Sequence, residues 1–277
     1  MFRVVLLMIL FMVVIFTLVT NIAAEKTGGK RVNIFNDLGR AVVDLLNGAD
    51  RIAPNISGVD VSLPDFHIGD GDEPVWEAPN LAGADYSGQS HQEAVFAGAV
   101  MPNATFINTL LDGANFEGAT GDRVVMRKAR LDGAKLDAVQ FTNADFAEAS
   151  LRGATLRAAV LTAGDFTKAD VSFARLSGAE MEGARLAGAY AAGAFFNEAR
   201  LAGADFSGAD ATGARFIGAD LGKTNFANAK IEKADFTGAR LHGADLSTAL
   251  GAAPDQFAAA CADDATKLPP GANAPQC

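Results

Sequence analysis

Along most of the chain the apolar positions recur every five residues. Stepping by five from Leu81, they read Leu81, Tyr86, His91, Phe96, Met101 and Phe106, and they continue in phase to Phe226, Ile231, Phe236, Leu241 and Leu246. Two residues before each centre stands an alanine in about 27 of 34 cases, the exceptions being Pro79, Gln89, Thr109, Val124, Val139, Gly164 and Thr224. A helix repeats at ~3.6 residues and a strand at 2, so neither explains a period of five. Residues two apart in an extended chain do point the same way, so the alanine and the larger centre can both face inward. The rest of the pentad must then turn. Glycine or asparagine often stands two positions after the centre (Gly83, Gly113, Gly153, Asn103, Asn143), and both tolerate the positive φ of tight turns. Each pentad is predicted to be a short extended piece followed by a corner.

The copies Ala84-Asp85-Tyr86, Ala114-Asn115-Phe116, Ala144-Asp145-Phe146, Ala204-Asp205-Phe206 and Ala234-Asp235-Phe236 resemble the pentapeptide-repeat family, whose pattern is Ala, then Asp or Asn, then Leu or Phe, then two variable residues. The resemblance implies an all-β solenoid over 79–248, a right-handed quadrilateral β-helix with four pentads per coil. About 170 residues then make ~8.5 coils, ~40 Å long at the ~4.8 Å spacing of stacked strands. Centres would stack every twenty residues, giving a core stack of Tyr86, Phe106, Phe146, Phe166, Phe206 and Phe226 with Met126 and Leu186 between them. An aliphatic series running from His91 through Leu111, Leu131 and Leu151 is expected opposite that stack. The pentads around Gly121 and Val124 fit worst and predict a bulge or loosened rung. Arg123, Arg127, Lys128 and Arg130 crowd there, as a candidate basic patch.

Outside the repeats the pattern changes. From Val4 to Ala24 there is no charged residue, and about 21 residues at ~1.5 Å each span a bilayer core of ~30 Å. Residues 1–24 therefore read as a transmembrane helix, a single-pass anchor, or as a signal segment cleaved near Ala24. The stretch 25–78 reads as a linker. Within it a short amphipathic helix is predicted over about 33–47, where Ile34, Leu38, Val42 and Leu45 share a face, Asn33 can cap and Gly48 stops. The acidic loop Asp70 to Glu73 lacks the later positions of a calcium-binding loop. Beyond Leu246 the pattern ends, and 249–277 is expected to form a terminal cap. A short helix is predicted at Pro254 to Cys261, with Leu250 and Phe257 as apolar contacts.

Composition narrows the function. Aliphatic and aromatic types make up 49% of the chain, yet there is one tryptophan and two tyrosines, so no ordinary large-residue core is available. The formal net charge is −10, which disfavours a direct nucleic-acid ligand. Only a minority of that excess falls in the repeats. The three histidines, His67, His91 and His242, have no partners nearby in sequence, and no phosphate loop or nucleophile motif occurs. No catalytic residue, cofactor or metal is expected, and the chain is read as non-enzymatic. Cys261 and Cys277 bracket the last segment as a candidate disulfide, which favours an extracytoplasmic rod over a cytoplasmic one. Phe173, Tyr190, Phe195 and Ile217 fall at outward positions on neighbouring rungs, a candidate patch for a protein partner or for self-association as a homodimer. The leading expectation is a membrane-associated scaffold offering a rigid rod to a protein. The alternative, a DNA-mimicking protector of gyrase like some relatives in the family, requires a more acidic rod.

Overall fold

The computed structural model describes residues 66–68, 74–76 and 78–277, all within the compact unit Ser62–Cys277. The segment 1–24 and the helix expected over 33–47 lie outside the described residues. Among the described residues no helix is long and apolar enough to cross a membrane. Inside the expected linker, β1 (Phe66–Ile68) and β2 (Pro74–Trp76) pair antiparallel on either side of the acidic loop, Phe66 opposite Trp76.

From Asn80 onward each pentad solves one backbone problem in one way. In the pentad Ala204 to Gly208, the Phe206 N–H donates to the Asn225 carbonyl at 2.8 Å and the Gly208 N–H to Ala227 at 2.8 Å, both in the next coil. The Asp205 N–H reaches back to Ala184 at 2.9 Å, and the Ala204 N–H closes the preceding corner on Leu201 at 2.9 Å. The fifth amide, Ser207, has no backbone acceptor and donates to the Asp205 carboxylate at 3.0 Å. A buried or half-buried N–H left unpaired costs about 1–3 kcal/mol, which explains why the residue before the centre is so often Asp or Asn. The same bond recurs at Asp145, Asp165, Asp210, Asp235, Asn115 and Asn225. Where another residue precedes the centre, an aspartate one coil back can serve instead, as Asp132 does for Arg152 and Asp137 for Arg157.

Successive coils therefore lie twenty residues apart, joined by single-residue parallel bridges such as Asp85↔Thr105, Ser90↔Leu110, Val95↔Asn115 and Val100↔Thr120. Four faces result, identified here by their first pre-centre residues: Asn80, Asp85, Ser90 and Val95. Each face has room for one bridging residue between corners. The second corner residue takes a left-handed φ near 57° even where it is not glycine, as at Asn103, Lys168 and Phe173.

The expected core stack forms on the second face. Tyr86 stacks on Phe106 at 4.9 Å between ring centroids, Phe146 on Phe166 at 4.8 Å, and Phe206 on Phe226 at 5.0 Å. What lies across from it corrects the sequence reading. The aliphatic series from His91 belongs to the third face, which is adjacent. The fourth face is opposite and carries its own aromatic column, with Phe196 stacked on Phe216 at 5.1 Å and Phe216 on Phe236 at 5.2 Å. The two columns meet edge to face, Phe206 against Phe216 at 5.7 Å and an interplanar angle of 82°. A four-sided coil places alternate pentads opposite one another, so aromatic centres ten residues apart confront each other in the arrangement their quadrupoles prefer.

The rung at Gly121 is not loosened. Its amide keeps the inter-coil bond to Gln140 at 2.9 Å, and Val124 is fully buried. A Cβ placed on Gly121 would lie 2.7 Å from Val124 Cγ2 and 2.9 Å from the Met101 carbonyl oxygen. The valine that breaks the alanine rule thus fills the space the missing centre leaves. Thr109 and Thr224 break the same rule and are fully buried, with their hydroxyls donating to Tyr86 O at 2.9 Å and Leu201 O at 3.1 Å.

At the end of the repeats the ladder continues with insertions. Cys261 pairs with Arg240, 21 residues back, and Lys267 with Asp245, 22 back. No helix forms at Pro254 to Cys261. Instead a run of turns carries three-residue bonds such as Ala258 N–H to Asp255 O at 3.1 Å, because the chain must keep the coil's corners while absorbing extra residues. Phe257 takes the next aromatic place, fully buried and 5.0 Å from Phe236. Leu250, expected as a second cap contact, holds an outward pre-centre position paired with Lys230 and is 52% exposed.

The Gly121 site makes a test of this packing. Gly121→Ala should destabilise the protein by about 1–3 kcal/mol through overpacking. Adding Val124→Ala should recover part of that loss, read as a coupling in urea unfolding midpoints. Strict additivity of the two changes would show that Val124 does not compensate for the glycine.

Candidate interaction surface and cap

With the interior filled, chemistry or recognition is left to the pre-centre residues and the corners. The second face looks acidic in sequence, but each of its aspartates finds a partner. Arg127 pairs with Asp145, Arg185 lies 3.5 Å from Asp165, Asn225 donates to Asp205 at 2.9 Å, and Lys267 reaches Asp245 at 3.0 Å. The crowded basic residues are likewise neutralised rather than free. Arg123 pairs with Asp122, Lys128 with Glu148, and Arg130 with Asp112. A stacked ladder puts residues 18 or 20 apart side by side, so charges that cluster in sequence are separated and matched in space.

The fourth face differs. Lys135, Arg175 and Arg215 stand on alternate coils, and among the described residues none makes an ion pair. Arg215 lies over the Phe195 ring at 5.7 Å instead. Phe195 and Ile217 are half-buried, and the large exposed side chains of the predicted patch are Phe173 and Tyr190, 59% and 58% exposed. Phe173 occupies the left-handed corner position at φ 58°, where glycine is the undemanding residue. Its ring lies over Gly193, one coil on, where a Cβ would sit 2.7 Å from the ring edge. Tyr190 precedes that glycine by three residues on the same rung.

At the cap, Cys261 and Cys277 are disulfide-bonded. The tail lies beneath the final rung, with Ala262 bridged to Gln276 and the Ala262 N–H donating to Pro275 O at 2.9 Å. His242 was read from sequence as isolated. The fold brings its ring nitrogen within 4.8 Å of both sulfurs. The signal was present in the period, since residue 242 lies one twenty-residue coil from 262, beside Cys261. Asp245 anchors the neighbouring face. Its carboxyl is held down to about 2 by the Ser247 hydroxyl, then by the Lys267 ammonium and the Ser247 N–H.

Inter-coil ladders closing every twenty residues around paired aromatic columns define a β-solenoid of five-residue repeats, with its variable residues on the outside. The pentapeptide-repeat profile matches eight copies between residues 80 and 247, more than half of the chain. The chain belongs to the pentapeptide repeat family, whose right-handed quadrilateral β-helix is the architecture described above. Among solved structures, full-length QnrB1, a plasmid-mediated fluoroquinolone resistance protein, is 16% identical over 65% of this chain and 94% of its own, with a TM-score of 0.42. HetL, a pentapeptide repeat protein involved in heterocyst differentiation regulation from the cyanobacterium Nostoc sp. strain PCC 7120, is 26% identical over 70% of this chain and 84% of its own, with a TM-score of 0.28. The pentapeptide repeat protein Rfr23 from the cyanobacterium Cyanothece 51142 is 19% identical over 38% and 85%, with a TM-score of 0.37. Superpositions this loose bear on neither partner nor activity. Among curated proteins no significant match is found.

The lowered Asp245 pKa has a definite pH signature. The folded value lies below the ordinary ~3.9, so its contribution is complete above about pH 4 and lost as pH falls towards 2. Hydrogen exchange of the Lys267 amide, bonded to Ala244 O at 2.9 Å, should accelerate relative to mid-solenoid amides across that window. In Asp245→Asn that acid-dependent increment should shrink. An identical pH response in the variant would remove Asp245 as its source.

Proposed function

We propose that this protein is a non-enzymatic interaction module, a rigid pentapeptide-repeat rod held at a membrane through residues 4–24 and docking a protein partner at the corner formed by Phe173 and Tyr190. The observation that carries the proposal is Phe173. An L-residue in the left-handed region costs about 1–2 kcal/mol, and this one also exposes an aromatic ring instead of burying it. Residues such as Ala138 and Lys168 share that backbone geometry, and what sets Phe173 apart is that a largely exposed aromatic ring occupies it, the side-chain type that interfaces favour. The extracytoplasmic assignment of the rod rests on the Cys261–Cys277 bond, since disulfides persist in oxidising compartments. The gyrase-mimic reading draws little support from the surface, because Asp145, Asp165 and Asp245 of its acidic column are paired with Arg127, Arg185 and Lys267.

Phe173→Gly separates recognition from folding. Stability should stay within about 1 kcal/mol of wild type, because relief at φ 58° offsets the lost contact over Gly193. Partner capture by the Phe173→Gly/Tyr190→Ser protein should drop at least tenfold in crosslinking from the native membrane. Unchanged oligomeric state and unchanged co-purified partners would sink the docking assignment. Topology reporters fused after residue 30 and after residue 277 should both report the extracytoplasmic side, and cytoplasmic activity of both would refute the placement.

A further inference from the structure

We propose that the cap is a thiol-gated metal site, in which reduction of Cys261–Cys277 exposes two thiolates that, with His242, bind a zinc ion. The three ligands come from three separately fixed strands of the ladder. His242 follows the centre Leu241, whose N–H donates to Cys261 O at 2.7 Å, and the Cys261 N–H donates to Ala239 O at 2.9 Å. Cys277 is placed by its own N–H to Ala262 O at 3.2 Å and by the Ala262–Gln276 bridge. Their ligand atoms all lie within 4.8 Å of one another. The disulfide is therefore not what brings the cysteines together, and opening it leaves the backbone ladder that does so.

Tetrahedral zinc takes sulfur at ~2.3 Å and imidazole nitrogen at ~2.0–2.1 Å, which sets ligand atoms roughly 3.3–3.8 Å apart. The imidazole nitrogen lies within 4.8 Å of both sulfurs, so a small side-chain adjustment brings it into that range. The sulfurs must part to reach it, a movement that side-chain rotation of the exposed Cys277 supplies while its backbone bond to Ala262 is kept. Two thiolates and one imidazole match zinc by donor type and leave one position for water. In the gating step a dithiol reductant donates two electrons and two protons to the disulfide and is itself oxidised to a disulfide. Zinc binding to the resulting thiols then releases both thiol protons to solvent. Oxidation, metal-free, and reduction, metal-bound, are thus exclusive states of one site.

The test uses the full chain in detergent, with and without a dithiol reductant, titrated with Co2+ as a spectroscopic stand-in and then with Zn2+. Reduced protein should take up one equivalent of Co2+, develop thiolate-to-cobalt charge-transfer absorption with tetrahedral ligand-field bands, and lose both on adding Zn2+. The oxidised protein should show neither. His242→Ala should weaken binding by more than about tenfold, the scale on which even outer-shell partners matter. Cys261→Ser/Cys277→Ser should abolish the charge-transfer band while the far-UV signature of the solenoid is retained. Metal uptake by the reduced wild-type chain no greater than by the double serine variant would overturn the proposal. So would wild-type affinity and spectrum in His242→Ala, because two thiolates alone would then account for binding.

Discussion

The hydrogen bond from each centre's N–H to a carbonyl in the next coil is the interaction on which the remainder of this molecule depends. It recurs with little variation, from Leu81 to Val100 O at 2.7 Å through Phe206 to Asn225 O at 2.8 Å. Because it joins residues nineteen apart, every coil must contain twenty residues or the ladder breaks. That requirement fixes the interior cross-section, so the centres can vary in shape only if their neighbours compensate in volume. Gly121 with Val124 shows the compensation within one corner, and the confronting phenylalanine columns show it across the core. Insertions are tolerated only after Leu250, where no further complete coil has to be matched.

The ladder also explains the repeat's sequence grammar, which periodicity alone could not. Alanine before the centre and leucine or phenylalanine at it are packing requirements and are visible as apolar spacing. The aspartate or asparagine between them looks like a surface choice in sequence. In the structure it is the acceptor for the one amide that the coil leaves unpaired, as Asp205 is for Ser207. The five-residue repeat and the cysteine pair were legible from residue type and spacing, whereas the twenty-residue coil and the core stack built on it came from the family resemblance. Which columns confront each other was misread, because adjacency along the chain was taken for opposition across the coil. The basic crowding at Arg123 to Arg130 was misread for a related reason: sequence neighbours at a corner point to different coils, and the charge partners of Arg127, Lys128 and Arg130 sit 18 or 20 residues away. His242 escaped notice because its neighbours belong to the next coil and to the tail. A search at the coil period would have reached Cys261.

A stack of open ladders exposes unpaired amides and carbonyls at its ends, and such edges invite other chains to add to them. The C-terminal end deals with this in three layers. Phe257 covers the aromatic column, the segment around Cys261 and Lys267 adds a last set of bridges, and the tail lies beneath Ala262. The disulfide then closes a loop of 16 residues, a link worth about 3 kcal/mol in chain-entropy terms. Its effect is local, since only the cap depends on it. The solenoid is held by bonds that repeat from coil to coil, so cap and rod can differ in stability.

Uniform interior packing has a consequence for where selection for function can act. Residues that bond or fill the core are committed to the ladder and its packing, and most outward charges are matched to an opposite charge one coil away, each such exposed pair contributing at most about 1 kcal/mol. Within the described residues, unmatched charges remain at several corners, among them Glu117, Lys168, Glu198 and Lys223. The fourth face keeps Lys135 and Arg175 without ion-pair partners among the described residues, and the corner preceding that face carries Phe173 with Tyr190 nearby on the following rung. Cationic and aromatic groups without an internal role, side by side on an inflexible frame, are the composition that protein interfaces favour. The rigidity matters as much as the chemistry: side chains whose backbone is locked by ladders on both sides lose little further freedom on docking, which lowers the entropic cost of association.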